Sequence, residues 1–191
     1  SSGAASAFDG CYGKSLENKE ISKDPYGYLK KDEEVKISNL SNTLVLRIYA
    51  LSGKYIRNPS IYALSSFLLK AIKGESVTID SSRAIYRSYG HAGNISELAC
   101  ELLLSSKLAF DNPIPINTVT HTTDLISLAN IIIEEFNLPK VIHRIKPDEK
   151  PDIYISSEKK FVNLLKAQNI KIKSLREQII DTANYLKTFK K

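Results

Sequence analysis

Three residues near the start of this chain have side chains suited to moving a proton. Tyr26 and Lys30 stand four positions apart, and residues at that spacing share one face of a helix. An ammonium beside a phenol favours the phenolate and brings a tyrosine towards use as a proton acceptor or donor near neutrality. The Lys30 ammonium also offers three donors to hydroxyls of a bound molecule. Ser2, upstream in Ser1-Ser2-Gly3-Ala4, adds a hydroxyl able to share a substrate oxygen with the phenol. With 10 tyrosines in the chain, one Tyr-x-x-x-Lys arises by chance, so the meaning of the pair rests on its surroundings.

Other reactive residues are sparse. His91, His121 and His143 are scattered and read as surface or packing residues. Cys11 and Cys100 are too few for a disulfide framework, and no Cys/His cluster has the spacing of metal ligands, which predicts a reducing, cytoplasmic setting and no metal. Gly10-x-x-Gly13 and Gly90-x-x-Gly93 read as turns rather than as a dinucleotide fingerprint, which must follow a strand and open a helix.

The elements that would position these groups alternate between helix and strand. Asp24 before Pro25 reads as a cap and first helical residue, opening a helix to about Asn39 that carries Tyr26 and Lys30. Thr43 to Tyr49 is an apolar, β-branched run of the kind covered on both faces in a parallel sheet. Gly53 to Pro59 reads as a loop, Ile61 to Ile72 as a helix ended by Gly74, and Val77 to Ile79 as a short strand. Asn94 with Glu97 predicts a capped helix start. Ile114 to Val119, Val141 to Ile145 and Asp152 to Ile155 read as strands, and Asp124 to Phe136 as an apolar helix. Helices near Glu158 to Ala167 and from Leu175 to Leu186, the latter capped by Ser174 with Glu177, close the chain. The alternation predicts an α/β fold.

Apolar residues make up 42% and charged residues 25%, which are globular values. No apolar run approaches the roughly 20 residues of a membrane span, so a soluble protein without a membrane partner is expected. The formal net charge of +6 and a pI near 9.1 favour anionic partners, either a nucleic acid or a small phosphorylated ligand.

Taken in order, Ser-Ser-Gly-Ala, Pro25-Tyr26-Gly27, Arg47-Ile48-Tyr49 before Gly53, Tyr62 to Gly74, Arg87-Ser88-Tyr89, Pro115-Ile116-Asn117 and the closing Lys159-to-Leu186 region resemble the extended short-chain dehydrogenase/reductase family, in its NAD-dependent epimerase/dehydratase branch. The resemblance spans nearly the whole chain and begins almost at Ser2, so the chain reads as the C-terminal part of a longer enzyme that lacks the N-terminal dinucleotide-binding half.

The resemblance implies the C-terminal portion of an NAD(P)-binding Rossmann-like fold with its smaller α/β substrate-binding region. Residues 1–53 would end the Rossmann-like domain with the catalytic groups, and residues 54–191 would be mainly substrate-binding, with returning Rossmann elements. It implies a catalytic Ser2, Tyr26 and Lys30, with Tyr26, Lys30, Tyr49 and Ala50 against an NAD or NADP cofactor. It assigns Ser2, Arg87 and Lys146 to a nucleotide-sugar substrate, Arg87 offering its planar fork of donors to the pyrophosphate.

Relatives often carry Asn where this chain has Ala50, and the dehydratases carry acidic or basic residues where Gly3 and Ala4 follow Ser2 here. Epimerisation, or reduction of a 4-keto sugar, is therefore expected over elimination. A cytoplasmic homodimer serving polysaccharide synthesis, inactive as an isolated chain, completes the expectation. Two alternatives stand beside it: a non-catalytic sugar-nucleotide-binding or interaction fragment, and a basic nucleic-acid-binding domain. The latter lacks any recognisable reader motif, so no nucleic acid is expected as a partner.

Overall fold

The computed structural model describes residues 1–11, 22–38, 40, 43–105, 114–139, 142–146 and 148–188. Helix α1 (Pro25–Ser38) opens as its sequence demands: the Asp24 carboxylate accepts from the Gly27 amide at 2.8 Å, and Pro25 occupies a position where no N–H is required. The segment before it, Gly3–Cys11, is wound as a 3₁₀ turn against which α1 packs. Gly27 permits that approach, since a Cβ there would stand 2.9 Å from the Ala4 carbonyl oxygen.

Among the described residues eight short strands follow the helix. Strand β1 (Leu46–Arg47) is parallel to β5 (Ile116–Asn117), and Ser2 pairs with Ile48 as a single parallel bridge on β1's extension. Strand β4 (Ile85–His91) is the spine of a mixed four-stranded sheet. It runs parallel to β2 (Ala50–Ser52) and β8 (Asp152–Tyr154) and antiparallel to β6 (His121–Asp124). Strand β3 (Thr78–Ile79) is parallel to β7 (Ile142–His143).

Helices α2 (Ala63–Ile72), α4 (Leu125–Phe136) and α6 (Leu175–Lys187) bury Leu64, Leu68, Leu128, Ile132 and Ile179 with Val77 and Tyr89 in one core cluster. A second cluster joins α3 (Ala92–Leu104) and α5 (Lys159–Ala167) to β5 through Leu98, Leu102, Ile116, Phe161 and Leu165. Among the described residues no helix is long and apolar enough to cross a membrane.

Several expectations need correction. The Thr43-to-Tyr49 run yields only the two residues of β1 and the bridge at Ile48. Helix α2 starts at Ala63, after a separate single turn at Pro59–Ile61. Helix α3 starts at Ala92 with His91 as its cap, Nδ1 accepting from the Asn94 amide; the Asn94 side chain instead donates to the Lys171 carbonyl. Gly90 and Gly93 are not a turn. Gly90 lies within β4 and Gly93 in the first turn of α3, while Gly13 lies outside the described residues. The Val141-to-Ile145 strand is reduced to β7, Val141 lying outside the described residues. Strands β2, β4 and β6 have no counterpart in the sequence-based expectation.

Candidate active site

Ser2 is placed by backbone pairing. The Gly3 amide donates to the Ile48 carbonyl at 2.8 Å and the Ile48 amide to the Ser1 carbonyl at 3.2 Å, which fixes Ser2 beside the end of β1. Tyr26 reaches the same place from the first turn of α1. Ser2, Tyr26, Ile48, Tyr49, Arg57 and Tyr62 line one cleft of about 360 Å³, at the small end of the range for small-molecule sites. Tyr26 remains 55% exposed.

Lys30 does not line that cleft. Its ammonium stands 5.8 Å from the centroid of the Tyr26 ring and bonds both Glu33 oxygens, the nearer at 2.8 Å. The Glu33 hydrogen bond raises the Lys30 pKa above its usual value, so the cation persists throughout the physiological range.

The bond that holds α1 to β1 is ionic and buried. Arg47 is only 2% exposed, and its Nε and Nη2 donate to the two oxygens of Glu34 at 2.8 and 2.7 Å. Asp9, in the 3₁₀ segment, accepts from the same guanidinium and from Lys31. Ser1 Oγ donates to Glu34 at 2.7 Å. Burial by itself would raise the Glu34 carboxyl, but hydrogen bonds from Arg47 and Ser1 and the charges of Arg47 and Lys31 outweigh it and hold the pKa below the carboxylate norm. This network carries no role in the sequence-based reading. It ties the element bearing Ser2, the helix bearing Tyr26 and the strand leading to Tyr49 into one unit.

Ala50 and Arg87 line a neighbouring hollow of about 260 Å³. Leu51 and Tyr62 border both spaces, so the two adjoin. Arg87 donates to the Asp152 carboxylate at 2.7 Å, and this ion pair holds the Asp152 pKa low. Lys146 stands apart from both hollows, exposed, with its ammonium 3.6 Å from Glu149. The structure thus brings Ser2, Tyr26 and Tyr49 together, sets Ala50 and Arg87 next door, and leaves Lys30 at the rim and Lys146 outside.

Tyr154 and Arg57 were missed from sequence. Tyr154, on β8, meets Ser2, and its ring lies 4.8 Å from that of Tyr49. The alternation of a strand offered one signal, because Asp152 and Tyr154 share a face. Arg57 sits on the loop after β2. There Gly53, at φ 104°, turns the chain in a conformation that suits glycine, and its amide donates to Thr182 Oγ1. Among the described residues no group of three His, Cys, Asp or Glu side chains could hold a metal ion.

The mixed α/β fold, with its parallel and mixed sheets, matches the C-terminal portion of Rossmann-like epimerase folds. No family model and no curated protein matches the sequence. Solved structures match its fold, among them nucleotide-sugar epimerases and a dTDP-glucose 4,6-dehydratase, some of them solved with NAD. UDP-N-acetylglucosamine 4-epimerase from Bacillus cereus matches 100% of this chain and 63% of its own length, at 17% identity and a TM-score of 0.66. UDP-glucuronic acid 4-epimerase from Bacillus cereus, solved with UDP-glucuronic acid and NAD, matches 87% of this chain and 53% of its own at 17% identity and TM-score 0.63. UDP-glucose 4-epimerase from Thermotoga maritima gives 85% and 53%, with 19% identity and TM-score 0.62. The chain therefore spans 53% to 63% of the length of these enzymes, and at such identities the likeness is one of fold.

Proposed function

We propose that this chain carries the proton-transfer and substrate-binding part of an NAD- or NADP-dependent enzyme acting on a nucleotide sugar, an epimerase or a 4-keto-sugar reductase. The observation that carries the reading is the convergence of Ser2, Tyr26 and Tyr49 on one cleft that adjoins the hollow containing Arg87.

The cleft fits one ring of such a cofactor or substrate, with the apolar sides of Ile48 and Tyr49 for the ring faces and two hydroxyls for its oxygens. Tyr26, Lys30, Tyr49 and Ala50 would hold the nicotinamide end; when bound, the cofactor supplies hydride transfer. Tyr26 takes up or returns the proton of the reacting sugar hydroxyl, and Ser2 orients that oxygen. Arg87 exchanges part of its hold on Asp152 for the pyrophosphate, while Lys146 is left to an outer electrostatic role. In this division residues 1–53 supply the chemistry and residues 54–191 the substrate contacts. A homodimer in the cytoplasm, serving polysaccharide synthesis, is part of the same proposal.

Tyr26→Phe keeps the ring and removes the proton. In the full-length protein, turnover of UDP-glucose, UDP-N-acetylglucosamine or UDP-glucuronic acid with NAD is expected to fall at least about 100-fold, with NAD(H) binding by calorimetry nearly unchanged. Undiminished turnover would falsify the assignment. A second reading, binding without turnover, is favoured by the grip of Glu33 on Lys30. Tight binding of NAD(H) and a UDP-sugar with no conversion of either would select it.

A further inference from the structure

We infer that Tyr154 is a positioning residue which fixes the direction of the Ser2 hydroxyl, and this rests on the proposed role of Ser2 in the cleft. The Ser2 oxygen has two neighbours capable of donating to it. The Ala4 amide donates at 3.3 Å, and the Tyr154 hydroxyl lies at 3.4 Å. An amide can only donate, so the Ser2 oxygen accepts from it and the serine must send its own proton elsewhere. In this arrangement the phenol donates to Ser2 Oγ, a contact whose geometry admits either oxygen as the donor. The serine's proton is then directed into the cleft, where it becomes a donor to a substrate oxygen. The 3.4 Å separation is long for O–H···O, as catalytic contacts often are before a substrate closes on them.

Three further features support the arrangement. Gly3 makes room for it, because a Cβ on that residue would stand 2.6 Å from the Tyr154 oxygen and 2.7 Å from the Tyr49 ring. The Tyr154 ring rests against Tyr49, whose own hydroxyl donates to Ser6 Oγ at 3.1 Å, so the phenol is held from its face as well as its tip. Burial pushes the Tyr154 pKa upward, which keeps it protonated and able to donate across the neutral range. In register, Tyr154 on β8 lies opposite Arg87 on β4. One short strand thereby touches both the reacting end of the cleft and, through Asp152, the guanidinium in the adjoining hollow.

Tyr154→Phe preserves the ring and deletes the donor. In the full protein, with whichever of the three UDP-sugars turns over, kcat should fall about tenfold, the scale of one net hydrogen bond, with KM within about twofold. In a Ser2→Ala background the same change should cost nothing more, since the hydroxyl it orients is gone. Losses that multiply in the double variant would overturn the proposal. A second readout needs no turnover. The ring resonance of ¹³C-tyrosine, assigned to Tyr154 by its disappearance in Tyr154→Phe, should shift in Ser2→Ala, and an unmoved resonance would also overturn the proposal. A moved resonance combined with normal turnover by Tyr26→Phe supports the contact and sinks instead the catalytic reading of the cleft.

Discussion

Glu34 shows how a site can depend on a residue that never touches it. Its carboxylate is 1% exposed and is fully occupied by Arg47, Ser1 and the nearby Lys31. A buried ion pair gains little over an apolar pair of the same shape, but removing one partner leaves the other charged and dry. Glu34→Gln leaves the Arg47 guanidinium with only the partly exposed Asp9 as a counter-charge, and about 3 kcal/mol of stability should be lost in urea unfolding. The same variant loosens α1 from β1, so any fraction that folds should lose kcat as Tyr26 drifts from Ser2. Full stability in Glu34→Gln would show that α1 is held by its contacts with the 3₁₀ segment instead.

At the scale of elements, legibility followed local chemistry. The start of α1 at Asp24-Pro25 and the capping box of α6, with Ser174 and Glu177 bonding each other's backbone, were plain in the sequence because the capping groups lie within four residues of one another. Strand β4 was hidden. Its sequence IYRSYGH alternates badly, yet Ser88, Tyr89, Gly90 and His91 are all buried, because their polar atoms find partners far along the chain: Ser88 meets Thr122 and Ser156, and His91 meets Asp181. Strand β6, HTTD, is polar and half-exposed, with His121 and Thr122 bonding the Lys173 carbonyl and Ser88 across the fold.

The candidate site was legible where it coincided with the Tyr-x-x-x-Lys helix and the segments around it. It was illegible at Tyr154 and in the Arg47–Glu34–Asp9 network, which only tertiary contact assembles. Gly90 is the fixed point of β4, since a Cβ there would collide with the Thr118 carbonyl. Gly90→Ala must part β4 from Thr118, and because the obstacle is backbone the strand cannot yield cheaply. An unfolding midpoint in urea lower by the equivalent of about 2–3 kcal/mol is expected; an unchanged midpoint would mean the strand can shift without loss.

The whole molecule should show a stability plateau bounded by groups of two kinds. Burial lowers the His91 pKa, and the charges of Lys173 and Lys54 reinforce burial against the pull of Asp181. The ring is used as a neutral one, Nδ1 accepting from the Asn94 amide and Nε2 bonding Asp181. The unfolded chain therefore binds the histidine proton first as pH falls, and stability declines from about pH 6.5 downward. Glu34, Asp9, Asp152 and Asp181 have lowered pKa values, so their contribution is present above about pH 4 and is lost as pH falls below it, a second and steeper decline. On the alkaline side burial raises Tyr89 and Tyr154, and the unfolded chain releases those protons first, so stability falls above about pH 10. Urea midpoints measured from pH 3 to 11 should be flat between roughly 6.5 and 10. In His91→Gln the decline between pH 6.5 and 5 should shrink while the one below pH 4 persists. If the wild-type curve were level down to pH 5, the neutral, buried state of His91 would be disproved, and with it the view that β4 ends in a ring bonded at both nitrogens.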